Sequence, residues 1–333
     1  MTGCLALASM LWQGDAPTVE CSAAALNVAG RGIVQLPQTG INSDFQLHRA
    51  GIGLGVVQGD IQGRIQVGPF QTGGRNSYIG IGGESTIHRI QMAEVRYRPI
   101  DSLRVSVGFV EDFWVESGNR SWGFRDVEAT SAEAYGWMER GNAGGSAVWS
   151  SERLVLAASM HTGEGAYRRE RNAGKNTAVY GRVNLLEKER LYVEGYAQDG
   201  SYGFDSVRNH RVGGRVASTP DGGSYRIGLE TLKVWGVQGN SVNTPLLLSL
   251  WGSVDATEWL RLLGRVEHIQ LNDGASQVLL FGVSKPMHPQ GNLGVYWNST
   301  LNDADLLPLA GSSAAVNTHR IVLQLDGRFE MTN

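Results

Sequence analysis

Cysteine is nearly missing from this chain. Cys4 and Cys21 are the only two, and nothing after Cys21 carries a thiol. A disulfide scaffold or a Cys-based metal site in the body of the chain is thereby excluded. Lysine is almost as scarce: of 29 basic residues only Lys175, Lys188, Lys233 and Lys285 are Lys, and the rest are Arg. That skew favours fixed, fork-shaped hydrogen-bonding cations over flexible ones. The formal charge is −3, with no polybasic block, so nucleic acid is not an expected partner. No apolar run reaches the roughly 18 residues a spanning helix needs, which excludes a helical membrane protein. Convincing helical periodicity is absent too, apart from room for one short helix in the longest connection.

The period that is present is two. Leu103, Val105, Val107 and Phe109 alternate with Arg104, Ser106 and Gly108. Ala93, Val95 and Tyr97 alternate with Glu94, Arg96 and Arg98 across the turn Pro99–Ser102. The same pattern runs through Ile61–Val67, Leu191–Gln198, Leu260–Glu267 and Ile321–Phe329. Such runs, bounded by turn residues, are strands. Short turns near 58–60, 99–102, 150–152, 186–189, 220–223, 255–258 and 286–290 take turns with mostly longer connections. Those are about 37–43, 70–86, 111–142, 161–176, 199–208, 235–243, 271–275 and 300–315. The count predicts about 16 strands with one short-turned and one long-looped rim, an all-β transmembrane antiparallel barrel. In lipid a closed barrel satisfies its own backbone hydrogen bonds, with one row facing lipid and the other a watery lumen. A soluble β-sandwich, with the apolar row inside and the charged row outside, is the competing architecture.

The head of the chain reads differently. Leu5–Trp12 is a short apolar run followed by Ser22-Ala23-Ala24-Ala25. Residues 1–24 are expected to be an export segment, and 25–333 the barrel. No HExxH, P-loop or GxSxG motif occurs, and the seven His are scattered without metal-ligand spacing. Neither an enzyme nor a cofactor is expected.

The stretch YRPIDSLRVSVGFVEDFW (Tyr97–Trp114) resembles the hairpin of sixteen-stranded porins related to the phosphate-selective O/P group. The resemblance implies a passive diffusion channel in the outer membrane of a Gram-negative bacterium, assembled as a homotrimer. The chain departs from that group in having only four Lys and in ending on Asn333, with Phe329 on the apolar row four residues earlier. In general porins the loop after the fifth strand folds into the barrel. Here the corresponding segment, 111–144, carries Glu111, Asp112, Glu116, Asp126, Glu128, Glu133 and Glu139 against Arg120, Arg125 and Arg140. We expect a constriction loop with Asp112, Glu116, Asp126 and Glu128 among its acids. Phe113, Trp114, Trp122, Phe124, Tyr135 and Trp137 would pack it against the wall.

Strand parity puts Arg31, Arg49, Arg64, Arg96, Arg98 and Arg104 on the lumen row of the first five strands. It also places Arg182, Arg190, Arg211, Arg215, Arg226, Arg261, Arg265, Arg320 and Arg328 there, against Glu94, Glu194, Glu230, Glu267 and Asp326. The expectation is a water-filled pore for small anionic or neutral solutes with a mild anion preference. Part of the Arg set could instead brace the loop by salt bridges. Trp149, Trp235, Trp251, Trp259, Tyr225 and Trp297 are expected at strand ends in interfacial girdles beside the bilayer. The basic run 162–176 is expected on the outer rim, against lipopolysaccharide phosphates. The alternative is a non-conducting barrel that anchors an envelope partner protein.

Overall fold

The computed structural model describes residues 24–36, 42–73, 84–125, 128–162, 175–186, 190–202, 206–220, 224–237, 241–242, 244–271, 274–287, 291–302 and 318–331. The chain begins with β1 (Ala24–Leu36), β2 (Asn42–Gln58), β3 (Ile61–Gly73), β4 (Glu84–Ile100) and β5 (Leu103–Glu111). Two helices follow, α1 (Phe113–Trp122) and α2 (Ser131–Ala134). Then come β6 (Gly141–Ser150), β7 (Leu154–Thr162), β8 (Lys175–Leu186) and β9 (Leu191–Asp199). A separate hairpin of two-residue strands, β10 (Ser201–Tyr202) and β11 (Val207–Arg208), interrupts the series. The wall resumes with β12 (His210–Ser218), β13 (Tyr225–Trp235), β14 (Leu246–Thr257) and β15 (Leu260–Leu271). It ends with β16 (Gly274–Met287), β17 (Gly291–Asn302) and β18 (Thr318–Met331).

Sixteen of these strands form one closed antiparallel barrel. The first strand meets the last in continuous register, from Ala24 opposite Met331 to Leu36 opposite His319. Every wall strand therefore has two neighbours and no edge is left, as a sheet surrounded by hydrocarbon requires. The expected strand count and its alternation of turns and loops hold. Two of the expected longer connections are short, however: β1 and β2 are separated by 37–41, and β15 and β16 by 272–273 only. The expected export segment lies outside the described residues except for Ala24, which opens β1.

The wall is inside out compared with a soluble sandwich. Val105, Val107, Leu156, Val179, Leu248, Leu250, Leu262, Val266 and Phe281 are exposed on the outer row. Ser106, Arg182, Glu194, Arg215, Glu230, Ser249, Arg265 and Glu267 are buried on the inner row. A soluble protein would lose on both counts; in lipid the same arrangement is favourable. Trp149, Trp235, Trp259, Tyr225 and Trp297 stand outward as expected for girdles. Trp251 does not. It lies on the inner row of β14 and is buried, because Gly228, its cross-strand partner on β13, leaves space for the indole. A Cβ on Gly228 would come within 2.2 Å of that ring.

Candidate functional site

The segment between β5 and β6 folds into the barrel. Asp112 starts it as the N-cap of α1, accepting from the backbone N–H groups of Trp114 (3.0 Å) and Val115 (3.1 Å). Such a cap satisfies donors that a helix start otherwise leaves unpaired. Its second oxygen accepts from Tyr196 Oη on β9 at 2.9 Å. Burial lifts the Asp112 carboxyl above the ordinary aspartate range, while the Val115 N–H pulls the other way. Gly123 ends α1 in the left-handed region, φ 76°. A Cβ there would also press on the Arg226 guanidinium, 2.7 Å away.

One side of the loop is apolar and packs on the inner row. Trp114, Val115, Ala132, Trp137 and Met138 join Tyr180, Tyr196, Leu232, Val234, Leu247 and Ile269 in one buried cluster. Trp122 and Phe124 join Tyr192, Trp251, Leu263, Leu280 and Tyr296 in another. Trp122 meets Trp251 edge to face, with centroids 6.0 Å apart. The expected packing aromatics thus do pack.

Four wall arginines complete the attachment, each ending on a loop carbonyl. Arg211 Nε donates to Trp137 O at 2.8 Å. Arg226 Nη1 donates to Arg120 O at 2.8 Å. Arg265 Nη1 donates to Ala129 O at 2.7 Å. Arg215 Nη2 reaches Trp114 O at 3.4 Å, with its guanidinium 4.0 Å from the Trp114 ring centroid. Arg215 is also bound by Glu194 (2.6 Å) and Glu230 (2.7 Å), and all three are buried. Glu267, paired with Arg265 at 2.9 Å, accepts from Ser131 Oγ and Tyr135 Oη of the loop. Burial, then the Glu267 carboxylate, pushes the Tyr135 hydroxyl well above its ordinary range. These arginines brace the loop and are not free lumen charges, which corrects the simple parity count.

On the opposite side, around β3–β5, the arginines meet carboxylates. Arg64 pairs with Glu94 on β4 and, through Nη2, with Glu111 at 2.9 Å. Arg96 Nε lies 2.6 Å from Glu94 and its Nη2 3.4 Å from Glu111. Arg140 continues the chain, 3.9 Å from Glu111 and 3.8 Å from Glu116. Wall and loop are thus joined by alternating charges. Among the described residues Arg98 and Arg104 make no ion pair, and Arg104 Nε is buried without an acceptor.

The other expected site residues fall as follows. Register puts positions 31 and 49 on the same row as Arg64, since Gly55 opposite Arg64 shares a row with Arg49, and Arg49 faces Ala29 on β1. Their side chains lie outside the described residues. So does Asp126, and so do residues 163–174 of the basic run. Glu128 is half-buried; its carbonyl accepts from Trp122 Nε1 at 3.0 Å. Sequence reasoning raised bracing of the loop by salt bridges as the alternative, but did not single out Arg211, Arg215, Arg226 and Arg265 or the loop carbonyls they bind. The available signal was inward glycine, Gly213 and Gly228, set where a large ring must fit: a Cβ on Gly213 would stand 3.0 Å from Trp114.

Compared by sequence, the chain matches no family profile and no curated protein. Compared by structure, it matches solved barrels over nearly its whole length. The anion-selective porin from Comamonas acidovorans superposes with a TM-score of 0.66 at 9% identity, covering 93% of this chain and 100% of that one. The fold is that of the outer-membrane porins. OmpF of Salmonella typhi gives 0.65 at 10% identity, over 93% of this chain and 97% of its own. OmpT of Vibrio cholerae gives 0.62 at 10% identity, over 96% and 99%. At these identities the likeness is one of fold, and the charges inside this barrel have to be interpreted from its own residues.

Proposed function

We propose that this protein is an outer-membrane porin, a passive channel for small hydrophilic solutes or ions with a mild preference for anions. The observation that carries this reading is the pairing of an apolar outer row with a polar inner row, against which an inward-folded loop packs. The buried clusters that the loop joins draw on β6–β9 and β12–β17, and ion pairs through Glu111 and Arg140 tie it to β3–β5. Between Arg49 and Val57 the inner row of β2 is Gly51, Gly53 and Gly55, which carry no side chain beyond hydrogen. The matched solved barrels support a Gram-negative outer-membrane location, and one of them is described as anion-selective. A trimer form is recorded for OmpT of Vibrio cholerae and supports the same assembly here. The narrower likeness to the phosphate-selective O/P group rests on the Tyr97–Trp114 hairpin alone.

The anion preference rests on Arg98 and Arg104, because the carboxylates near β3–β5 are already engaged by Arg64, Arg96 and Arg140. The test is a planar-bilayer recording across a salt gradient. Discrete conductance steps with a reversal potential of anion sign are expected, weakening at high salt as screening shortens the field. Absence of conductance would favour the anchoring role, and a cation-signed reversal potential would defeat the preference.

A further inference from the structure

Where the inward loop starts, two oxygens claim one proton. Tyr196 Oη on β9 lies 2.9 Å from Asp112 Oδ2 and 2.9 Å from Gln198 Oε1. A phenol has a single O–H to donate, and an ionised carboxylate and an amide oxygen can only accept. All three residues are buried. There, an oxygen set against an oxygen with no proton between them carries the full penalty of an unmade hydrogen bond. Asp112 Oδ1 is already taken by the N–H groups of Trp114 and Val115. Both contacts of Tyr196 close if a second proton is present, and Asp112 is the group that can hold it. The groups that face Asp112 are His161 on β7, Tyr196 on β9 and Arg211 on β12, and Arg211 in turn faces Glu139 of the loop. Burial outweighs the cations and lifts the Asp112 carboxyl above the ordinary aspartate range.

We propose that Asp112 carries a proton, and that the chain from Asp112 O–H to Tyr196 O–H to Gln198 Oε1 is a latch that holds the start of the loop on β9. The direction of the first bond then reverses: the acid donates and the phenol accepts. All three oxygens are satisfied, and the helix cap keeps both its N–H bonds on Oδ1. Loss of the proton leaves a buried carboxylate and sets Gln198 Oε1 against a phenol oxygen whose only proton has turned away. The latch therefore has a sign. A carboxyl raised in the folded protein contributes docking that is whole below its ordinary value and is lost as pH rises through the folded one. An ion-paired carboxylate such as Glu133 acts in the opposite sense and loses its contribution on the acid side. The latch goes beyond the porin reading and does not depend on conduction.

The experiment is infrared spectroscopy of the refolded barrel at about pH 6, roughly two units above the ordinary aspartate value. The carbonyl band of a protonated carboxylic acid is expected. It should be missing from Asp112→Asn, which copies the protonated acid and turns an N–H toward Tyr196. It should be missing too from Asp112→Ser, which keeps a capping oxygen without an acid. Either variant assigns the band once gel mobility shows an assembled barrel; heavy-carbon labelling of aspartate assigns it if neither assembles. Trp114 reports the docking, since its ring centroid lies 5.8 Å from that of Tyr196. In the unmodified protein the band should fade and the tryptophan emission should shift over one and the same interval of rising pH. In Asp112→Asn the emission should stay level there. A band absent from the unmodified protein at the starting pH, or one that survives in an assembled variant, overturns the proton; Gln198 is then turned so that its amide donates to Tyr196. A band that fades without a change in emission overturns the latch, and a band unchanged up to the onset of tyrosine ionisation overturns its pH dependence. None of these outcomes bears on whether the barrel conducts, so the porin reading is tested separately.

Discussion

The two sides of the barrel use the same side chain for opposite ends. On β12, β13 and β15, Arg211, Arg215, Arg226 and Arg265 end on loop carbonyls and, for two of them, on buried carboxylates. On β4 and β5, Arg98 and Arg104 enter no ion pair among the described residues, and Arg104 Nε is buried without an acceptor. The difference is made by the loop. Where it leans on the wall, it excludes water, and an arginine there must find acceptors within the protein. On the β4–β5 side no described loop carbonyl meets Arg104, whose Nε is buried without an acceptor. Counting charges by strand parity cannot distinguish these two uses.

The strongest test of that contrast is Arg215→Ala against Arg98→Ala. The first leaves Glu194 and Glu230 buried without a counter-charge and should destabilise by about 3–5 kcal/mol. The second should change stability by about 0.5 kcal/mol or less. Urea midpoints of the refolded barrel, followed by its gel mobility before and after heating, decide it; equal losses would mean that both sides are structural. Next in size, Val107→Arg on the outer row of β5 should lose about 2–4 kcal/mol against lipid. The half-buried, inward Gln66 replaced by Arg should assemble nearly as well as the unmodified chain. Comparable folding yields in vesicles for the two would reverse the assignment of rows.

Gly228→Ala tests the tight side of the loop attachment. The added methyl meets the Trp251 ring, and overpacking of this kind typically loses about 1–3 kcal/mol. The Trp122–Trp251 contact should loosen with it, visible as a change in tryptophan emission. The smallest effect concerns acid. Burial opposes ionisation of Glu133, but Arg125 and Asn119 outweigh it, so its carboxyl lies below the ordinary range. A depressed carboxyl contributes stability that is present above its unfolded value and lost as pH falls through the folded one. Glu133→Gln should therefore weaken the loop by about 1 kcal/mol or less at neutral pH. It should also flatten the acid end of a tryptophan-emission titration; an unchanged acid limb would show that the pair is idle.

Most of the wall was legible because lipid enforces a strict period of two, and residues such as Val105 and Arg104 report their row by type alone. The sixteen strands and the packing aromatics of the loop were read in this way. Trp251 was misread because an aromatic near a strand end suits a girdle and an inner cluster equally, and only its partner Gly228 separates them. Which arginines brace the loop, and on what, was illegible for a different reason. Arg265 and Ala129 lie 136 positions apart, and an acceptor that is a main-chain carbonyl leaves no mark on residue choice. The irregularity between Tyr97 and Ile100, which sets Arg98 opposite Arg104, is likewise a matter of pairing between strands.

The attachment of the loop through its carbonyls has a consequence for how such a protein can change over generations. Every peptide unit carries the same oxygen, so the side chains at Arg120, Ala129 and Trp137 are not what the wall arginines grip. Replacement at the exposed Arg120 alters what a passing solute meets and leaves the grip intact. Anchoring and filtering are therefore separable in inheritance: the lumen face of the loop is free to drift toward new solutes while the wall keeps hold of an unchanged backbone.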